Sequence, residues 1–100
     1  MSILPHHDRS TVTAVAGTVS RNIVAGNNAC TQVFVKAAND TTTFDVTLTD
    51  IYDDVIYGRE DVTGELNDEV HLTTYGNWTL TVENSSVADE TFITNLIFEE

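Results

Sequence analysis

Two segments of the chain alternate apolar and polar residues without a break: Phe44-Asp45-Val46-Thr47-Leu48-Thr49 and Trp78-Thr79-Leu80-Thr81-Val82-Glu83. A period of two places the apolar side chains on one face of an extended strand; a helix of that length would scatter them around its axis. The same period recurs along the chain. Val12, Ala14 and Ala16 share a parity, as do Phe92, Thr94, Leu96 and Phe98. In residues 29–37, Thr31, Val33 and Val35 take one face and Cys30, Gln32, Phe34 and Lys36 the other. Thr (16), Val (12) and Ile (6) supply the strand-favouring, β-branched side chains, which are stiff at χ1 and fit a pleated surface.

Turn residues separate these runs. Gly17, the cluster Ala25-Gly26-Asn27-Asn28, Asn39-Asp40-Thr41 and Tyr75-Gly76-Asn77 punctuate the alternation. Asp53-Asp54, between Ile51-Tyr52 and Val55-Ile56-Tyr57, reads as the acidic tip of a hairpin. Residues 58–69 are polar and acidic and read as the longest irregular segment, and Val70 and Leu72 as a short strand. The spacing predicts an all-β fold: an antiparallel β-sandwich or jelly roll of about seven to nine short strands with almost no helix. Residues 1–10 show no periodicity and read as an extended N-terminal arm, leaving residues 11–100 as a single β-sandwich domain. At 100 residues the chain is one domain in length.

Charge narrows the function classes. Sixteen acids against four bases give a formal charge of −12. That disfavours binding to nucleic-acid phosphates, which requires positive charge, and docking on an anionic membrane. The first 36 residues carry a net +2 and the remainder −14. Such a chain suits a protein that docks by one end and presents an acidic body to water. The N-terminus lacks a basic start followed by an apolar stretch, and the single cysteine forms no internal disulfide; both lead to the expectation of a protein made in the cytoplasm.

No catalytic set emerges. Cys30 is the only thiol and reads as a buried structural residue. His6 and His7 lie in the arm, where no rigid shell would hold a general base, and His71 alternates out of phase with Val70 and Leu72. The expectation is a protein that is not an enzyme and has no cofactor and no metal. His6-His7-Asp8 offers at most a weak, unselective transition-metal site. Asp50, Asp53 and Asp54 crowd the hairpin tip and form the alternative calcium ligand set, although their spacing is not that of an EF-hand. Tyr52, Tyr57, Tyr75 and Trp78 are candidates for a sugar-stacking platform, with Trp78 placed in the core by its alternation with Leu80 and Val82.

Two resemblances follow from these residues. The run from Gly76 through Trp78, Leu80 and Val82 to Asn84, then Asp89 and Leu96-Ile97-Phe98, is similar to the last strands of jelly-roll accessory domains such as those following the protease in subtilisin-like proprotein convertases. The chain departs from that pattern in lacking a glycine after Asp89 and in having Leu96 where an aromatic is usual. The whole chain resembles the small β-sandwich virion proteins of tailed phages, of the head decoration or cement type. The features are its short start, its Thr/Val-rich body, its run from Phe44 to Asp50 leading to Tyr75-Gly76-Asn77-Trp78, and its acidic finish at Glu99-Glu100. This second resemblance implies a structural protein of the virion capsid surface that binds and stabilises a shell of major coat protein, itself forming a homo-oligomer such as a dimer or trimer. The residues expected to carry the contact are Ile3, Leu4, Pro5 and Arg9 of the arm together with Phe34 on one sheet face. Removal of residues 1–10 is expected to leave the fold intact and abolish incorporation. The alternative is a small carbohydrate-binding module, calcium-dependent or not, using the Asp50, Asp53, Asp54 tip with Tyr52 or Tyr57.

Overall fold

A computed structural model describes residues 6–26, 29–73, 76–86 and 88–99. Eight strands account for most of these, in chain order β1 (His6–Ala14), β2 (Thr18–Gly26), β3 (Ala29–Ala37), β4 (Thr43–Thr49), β5 (Val55–Thr63), β6 (Glu65–Leu72), β7 (Gly76–Asn84) and β8 (Glu90–Glu99). They form two four-stranded antiparallel sheets: sheet A in the order β1-β8-β3-β6 and sheet B in the order β2-β7-β4-β5. The pairings β4 with β5, β3 with β6, β2 with β7 and β1 with β8 are nested about the β4–β5 hairpin. The chain is thus folded in half like one long hairpin and wrapped across two layers, which is the jelly-roll arrangement.

Alternation decides which face is inside. Phe44, Val46 and Leu48 of β4 and Trp78, Leu80 and Val82 of β7 are buried against Val33, Val35, Phe92, Leu96 and Phe98 of sheet A. Two aromatic pairs bridge the layers. Phe44 and Phe92 meet edge to face at 5.1 Å, and Trp78 meets Phe98 at 5.6 Å in a tilted stack. Thr94 is the one polar side chain among the fully buried described residues, and its hydroxyl donates to the Ser10 carbonyl at 3.2 Å.

Each lateral side of the sandwich is closed by an ion pair between edge strands of the two sheets. On the β1/β2 side Arg21 Nη1 donates to Asp8 Oδ1 at 2.6 Å, and Arg21 Nη2 donates to the Asp8 carbonyl at 3.2 Å. On the β5/β6 side Arg59 Nε and Nη2 clamp the two Asp68 carboxylate oxygens at 2.7 and 3.1 Å, and the Tyr57 hydroxyl donates to the same carboxylate at 2.6 Å. Each inward carboxylate on these edge strands thus has its counter-charge.

Three elements differ from the sequence expectation. The first strand begins at His6, so residues 6–10, read as part of the arm, pair with β8 in unbroken register from His6–Phe98 to Ala14–Glu90. The outer positions of β1 are solvent-facing polar residues, which hides the period. Residues 58–69 are two edge strands joined at Gly64 and not an irregular segment; their outer positions hold Glu60, Asp61, Glu65 and Glu69, all exposed. In β3 a bulge between Cys30 and Gln32 shifts the register against both neighbours. Cys30 therefore joins Val33 and Val35 in the core, while Gln32, Phe34 and Lys36 face outward.

Candidate functional site

Two adjacent apolar residues in one strand cannot both face the core. In β2, Ile23 is buried and Val24 is 66% exposed. Val24 lies opposite Asn77, at the end of sheet B where β2 and β4 finish and β5 and β7 begin. The turn between β4 and β5 adds Ile51 at 52% and Tyr52 at 77%, and Val55 follows at 65%. Of the five large apolar residues exposed among those described, these four gather at one end; Val15, in the β1–β2 turn, lies at the other.

The turn that presents them is held by one side chain. Asp50 Oδ1 accepts the backbone N–H of Tyr52 at 2.8 Å and of Asp54 at 3.0 Å, and Asp53 N–H donates to the Asp50 carbonyl at 3.1 Å. Asp53 takes a left-handed φ of 62°, a conformation Asp tolerates better than most residues. Ile51 is seated beside Gly76, where an added Cβ would come within 3.1 Å of the Ile51 Cγ2. The turn thus fixes its own backbone with a carboxylate and leaves the apolar side chains outward.

The structure distributes the sequence-derived site residues as follows. Ile3, Leu4 and Pro5 lie outside the described residues; they precede His6, and β1 starts at this same end of the sandwich. Arg9 and Phe34 fall in one cross-strand row on the outer face of sheet A, Arg9 opposite Asn95 and Asn95 opposite Phe34. Arg9 is exposed and Phe34 half-buried, with Ile93 and Ile97 half-buried on β8 beside them. The outer face of sheet A is therefore a second surface, its apolar residues half-buried where those at the end of sheet B are exposed. Asp50, Asp53 and Asp54 are not brought together as an ion-binding set, and no three His, Cys, Asp or Glu residues converge in that way among the described residues. The Asp50 carboxylate is turned into its own loop.

Of the aromatic candidates, Trp78 is fully buried, Tyr75 lies outside the described residues, and Tyr57 is committed to Asp68. Burial, and after it the bond to the Asp68 carboxylate, raises the Tyr57 phenol well above its usual range. The Arg59 guanidinium and then the Tyr57 hydroxyl hold the Asp68 carboxyl below the ordinary carboxylate value. Cys30 is fully buried, and burial pushes its thiol up to about 11, so it is a poor nucleophile near neutrality. His71 is exposed on β6.

One feature was absent from the sequence reading. A groove of about 480 Å3 opens on the outer face of sheet B, lined by Asp45, Thr47, Val55, Gly58, Glu60 and Glu83 among others. Asp45 and Glu83 are direct cross-strand neighbours, an unfavourable pairing of like charges. Gly58 has room for a side chain, since an added Cβ would meet the Val46 carbonyl and Val55 Cγ1 only at 3.9 Å. The signal in the sequence was a glycine within an otherwise apolar and charged run, but it lay in the segment read as irregular.

No family model matches the sequence, and no curated protein matches it. Solved structures do share the fold. The pre-peptidase C-terminal domain of a collagenase from Bacillus anthracis aligns with a TM-score of 0.68 at 10% identity, over 89% of this chain and 87% of that one. A chain of the acid-stable capsid of Helicobacter pylori bacteriophage KHP30 aligns at 0.58 and 9% identity, over 97% and 88%. The module TmCBM61, solved with β-1,4-galactotriose, aligns at 0.50 and 14% identity, over 98% and 88%. At these identities the likeness is one of fold: the same sandwich serves a protease accessory domain, a capsid component and a sugar-binding module.

Proposed function

We propose that this chain is a non-enzymatic structural protein of a virion, a capsid decoration or cement protein that docks on an assembled coat-protein shell. The observation that carries the proposal is the gathering of Val24, Ile51, Tyr52 and Val55 at one end of sheet B, each more than half exposed. Exposed apolar side chains are ordinary when scattered; four of the five exposed large ones among the described residues lying at one end favour an interaction surface there. Ile3, Leu4 and Pro5 immediately precede His6, where β1 begins at that end, and we extend the contact to these apolar residues. The fold shared with a phage capsid component is consistent with this role. A protein that binds only the assembled shell stabilises it by mass action.

The test is cosedimentation with particles assembled from the coat protein encoded beside this gene. Wild-type protein pellets with the particles, and Tyr52→Asp combined with Val55→Asp stays in the supernatant while keeping its β-sheet circular dichroism. Equal pelleting of the two proteins, or the absence of a coat gene beside this one, refutes the proposal.

A second reading has one observation in its favour, the groove on sheet B floored by Gly58. Its carboxylates and the Thr47 hydroxyl could hydrogen-bond a hydroxyl-rich ligand, which makes a carbohydrate-binding role the alternative. In that reading the ligand lies over β4 and β5 and not at the Asp50 turn. Saturable amide shifts at Thr47 and Gly58 on titration with galacto-oligosaccharides would favour it over shell docking.

A further inference from the structure

Each sheet has four strands in strict antiparallel alternation, so its two edge strands run in opposite directions. A copy of the molecule placed beside another with no reversal therefore brings β1 of one against β6 of the next in antiparallel orientation. Both edges are suited to this. β1 pairs with β8 without any register shift, and β6 alternates inward and outward residues along its length, with one register shift against β3 just beyond Glu69. Each edge carries backbone N–H and C=O groups with no partner strand on its outer side. The edges of sheet B are less suited, since β5 is offset from β4 by two irregularities and Asp61 adopts a φ of 57°.

Charge distinguishes the two edges. On the outer face of sheet A, β1 presents His7, Arg9, Thr11 and Thr13, and β6 presents Glu65, Asn67, Glu69 and His71, all exposed. The ion pairs among the described residues are Arg21–Asp8 and Arg59–Asp68, so Arg9, Glu65 and Glu69 are uncommitted. Lys36 is the cross-strand neighbour of Glu65 but forms no ion pair with it among the described residues. The inward carboxylates of the two edges, Asp8 and Asp68, already have their arginines, so extending the sheet buries no unpaired charge there.

We propose that the protein associates head to tail, with the β1 edge of sheet A in one copy adding as a strand to the β6 edge of the next. The register of this contact is the one that continues the rows of the sheet without shear. Within one copy His7 shares a row with Glu69, Arg9 with Asn67, and Thr11 with Glu65, through β8 and β3. Continuing these rows places Arg9 of one copy beside Asn67 of the next, diagonally between Glu65 and Glu69. A strand spacing of about 4.8 Å puts both carboxylates within reach of a guanidinium. Pairing of two β1 edges about a two-fold axis would instead bring Arg9 towards Arg9. Because the contact joins two different surfaces, it repeats, giving a ring or an open row of copies. The inference is independent of the proposed shell docking, and its test uses the isolated protein.

Sedimentation velocity over a concentration series tests it. At a salt concentration that screens the repulsion between copies of net charge −12, the mass rises above 11.0 kDa with concentration and passes beyond that of a dimer. Arg9→Glu weakens the association about tenfold, as does Glu65→Arg with Glu69→Arg, and combining all three restores it. All three positions are exposed, and a dispersed β-type amide spectrum confirms that each variant folds. Amide broadening on association falls in β1 and β6. A mass of one chain at all concentrations overturns the proposal. So does a limiting dimer, an association indifferent to Arg9→Glu, or broadening confined to β2 and β5.

Discussion

Gly64 and Gly58 sit six residues apart in the β5–β6 region, and the backbone demands a glycine at only one of them. Gly64 has a φ of +77°, and a Cβ there would lie 2.6 Å from the Asp40 carbonyl oxygen. Its N–H donates to the Thr42 carbonyl at 2.8 Å, and its own carbonyl accepts from Ala37 N–H at 2.9 Å, tying the β5–β6 turn to the β3–β4 connection. Gly64→Ala is expected to cost about 2 kcal/mol or more, whereas Gly58→Ala, with no close contact, stays within about 0.5 kcal/mol. Urea unfolding of the two variants measures the contrast, and equal midpoints would contradict it. Asp68 gives a pH prediction at the same scale. Its folded-state carboxyl titrates below the unfolded one, so its ion pair contributes stability above the unfolded value, and that contribution is lost as pH falls through the folded one. Exposure keeps the effect small. Asp68→Asn should flatten the fall in thermal midpoint below about pH 4; an unchanged acid slope would show that the pair contributes nothing.

The strands buried on one face were legible in the sequence. β4 and β7 follow from the periods of Phe44-Val46-Leu48 and Trp78-Leu80-Val82, because burial on one side enforces alternation. The edge strands were not. β5 exposes Gly58 to Asp61 in succession and reads as a loop in composition, yet it needs only one partner strand. The bulge in β3 was also invisible, since one inserted residue inverts the parity of Cys30 while leaving the run apolar on both faces. The start of β1 changes what truncation should do. Removal of residues 1–5 leaves all of β1 in place. Removal of residues 1–10 takes five residues from its pairing with β8, removes the Asp8 carboxylate from a largely buried Arg21, and withdraws the Ser10 carbonyl from Thr94. The shorter deletion is expected to keep the wild-type thermal midpoint and the longer one to lose about 2–4 kcal/mol. Equal midpoints for the two would argue that residues 6–10 are not part of the sheet.

Over the whole molecule, the sandwich separates its surfaces by character. One end gathers exposed apolar residues, the β5/β6 side gathers carboxylates, and the outer face of sheet A carries Arg9 and Lys36. Net charge and the position of Ile3, Leu4 and Pro5 pointed to docking by one end. Which side chains share that end depended on the fold, because Val24 is far in sequence from Ile51, Tyr52 and Val55 and lies at the same end only because β2 finishes where β4 turns into β5. Phe34, read as part of a docking face, lies half-buried on the outer face of sheet A near Ile93 and Ile97 and is less exposed than Tyr52. The proposed docking surface is the end of sheet B. Hydrogen exchange of the protein, free and bound to the assembled shell, tests it most directly. Binding is expected to slow exchange in residues 50–55 and at Val24, with the far-end turns around residues 15–17 and 38–42 unchanged. Slowed exchange confined to the outer face of sheet A, at β3 and β8, would contradict it.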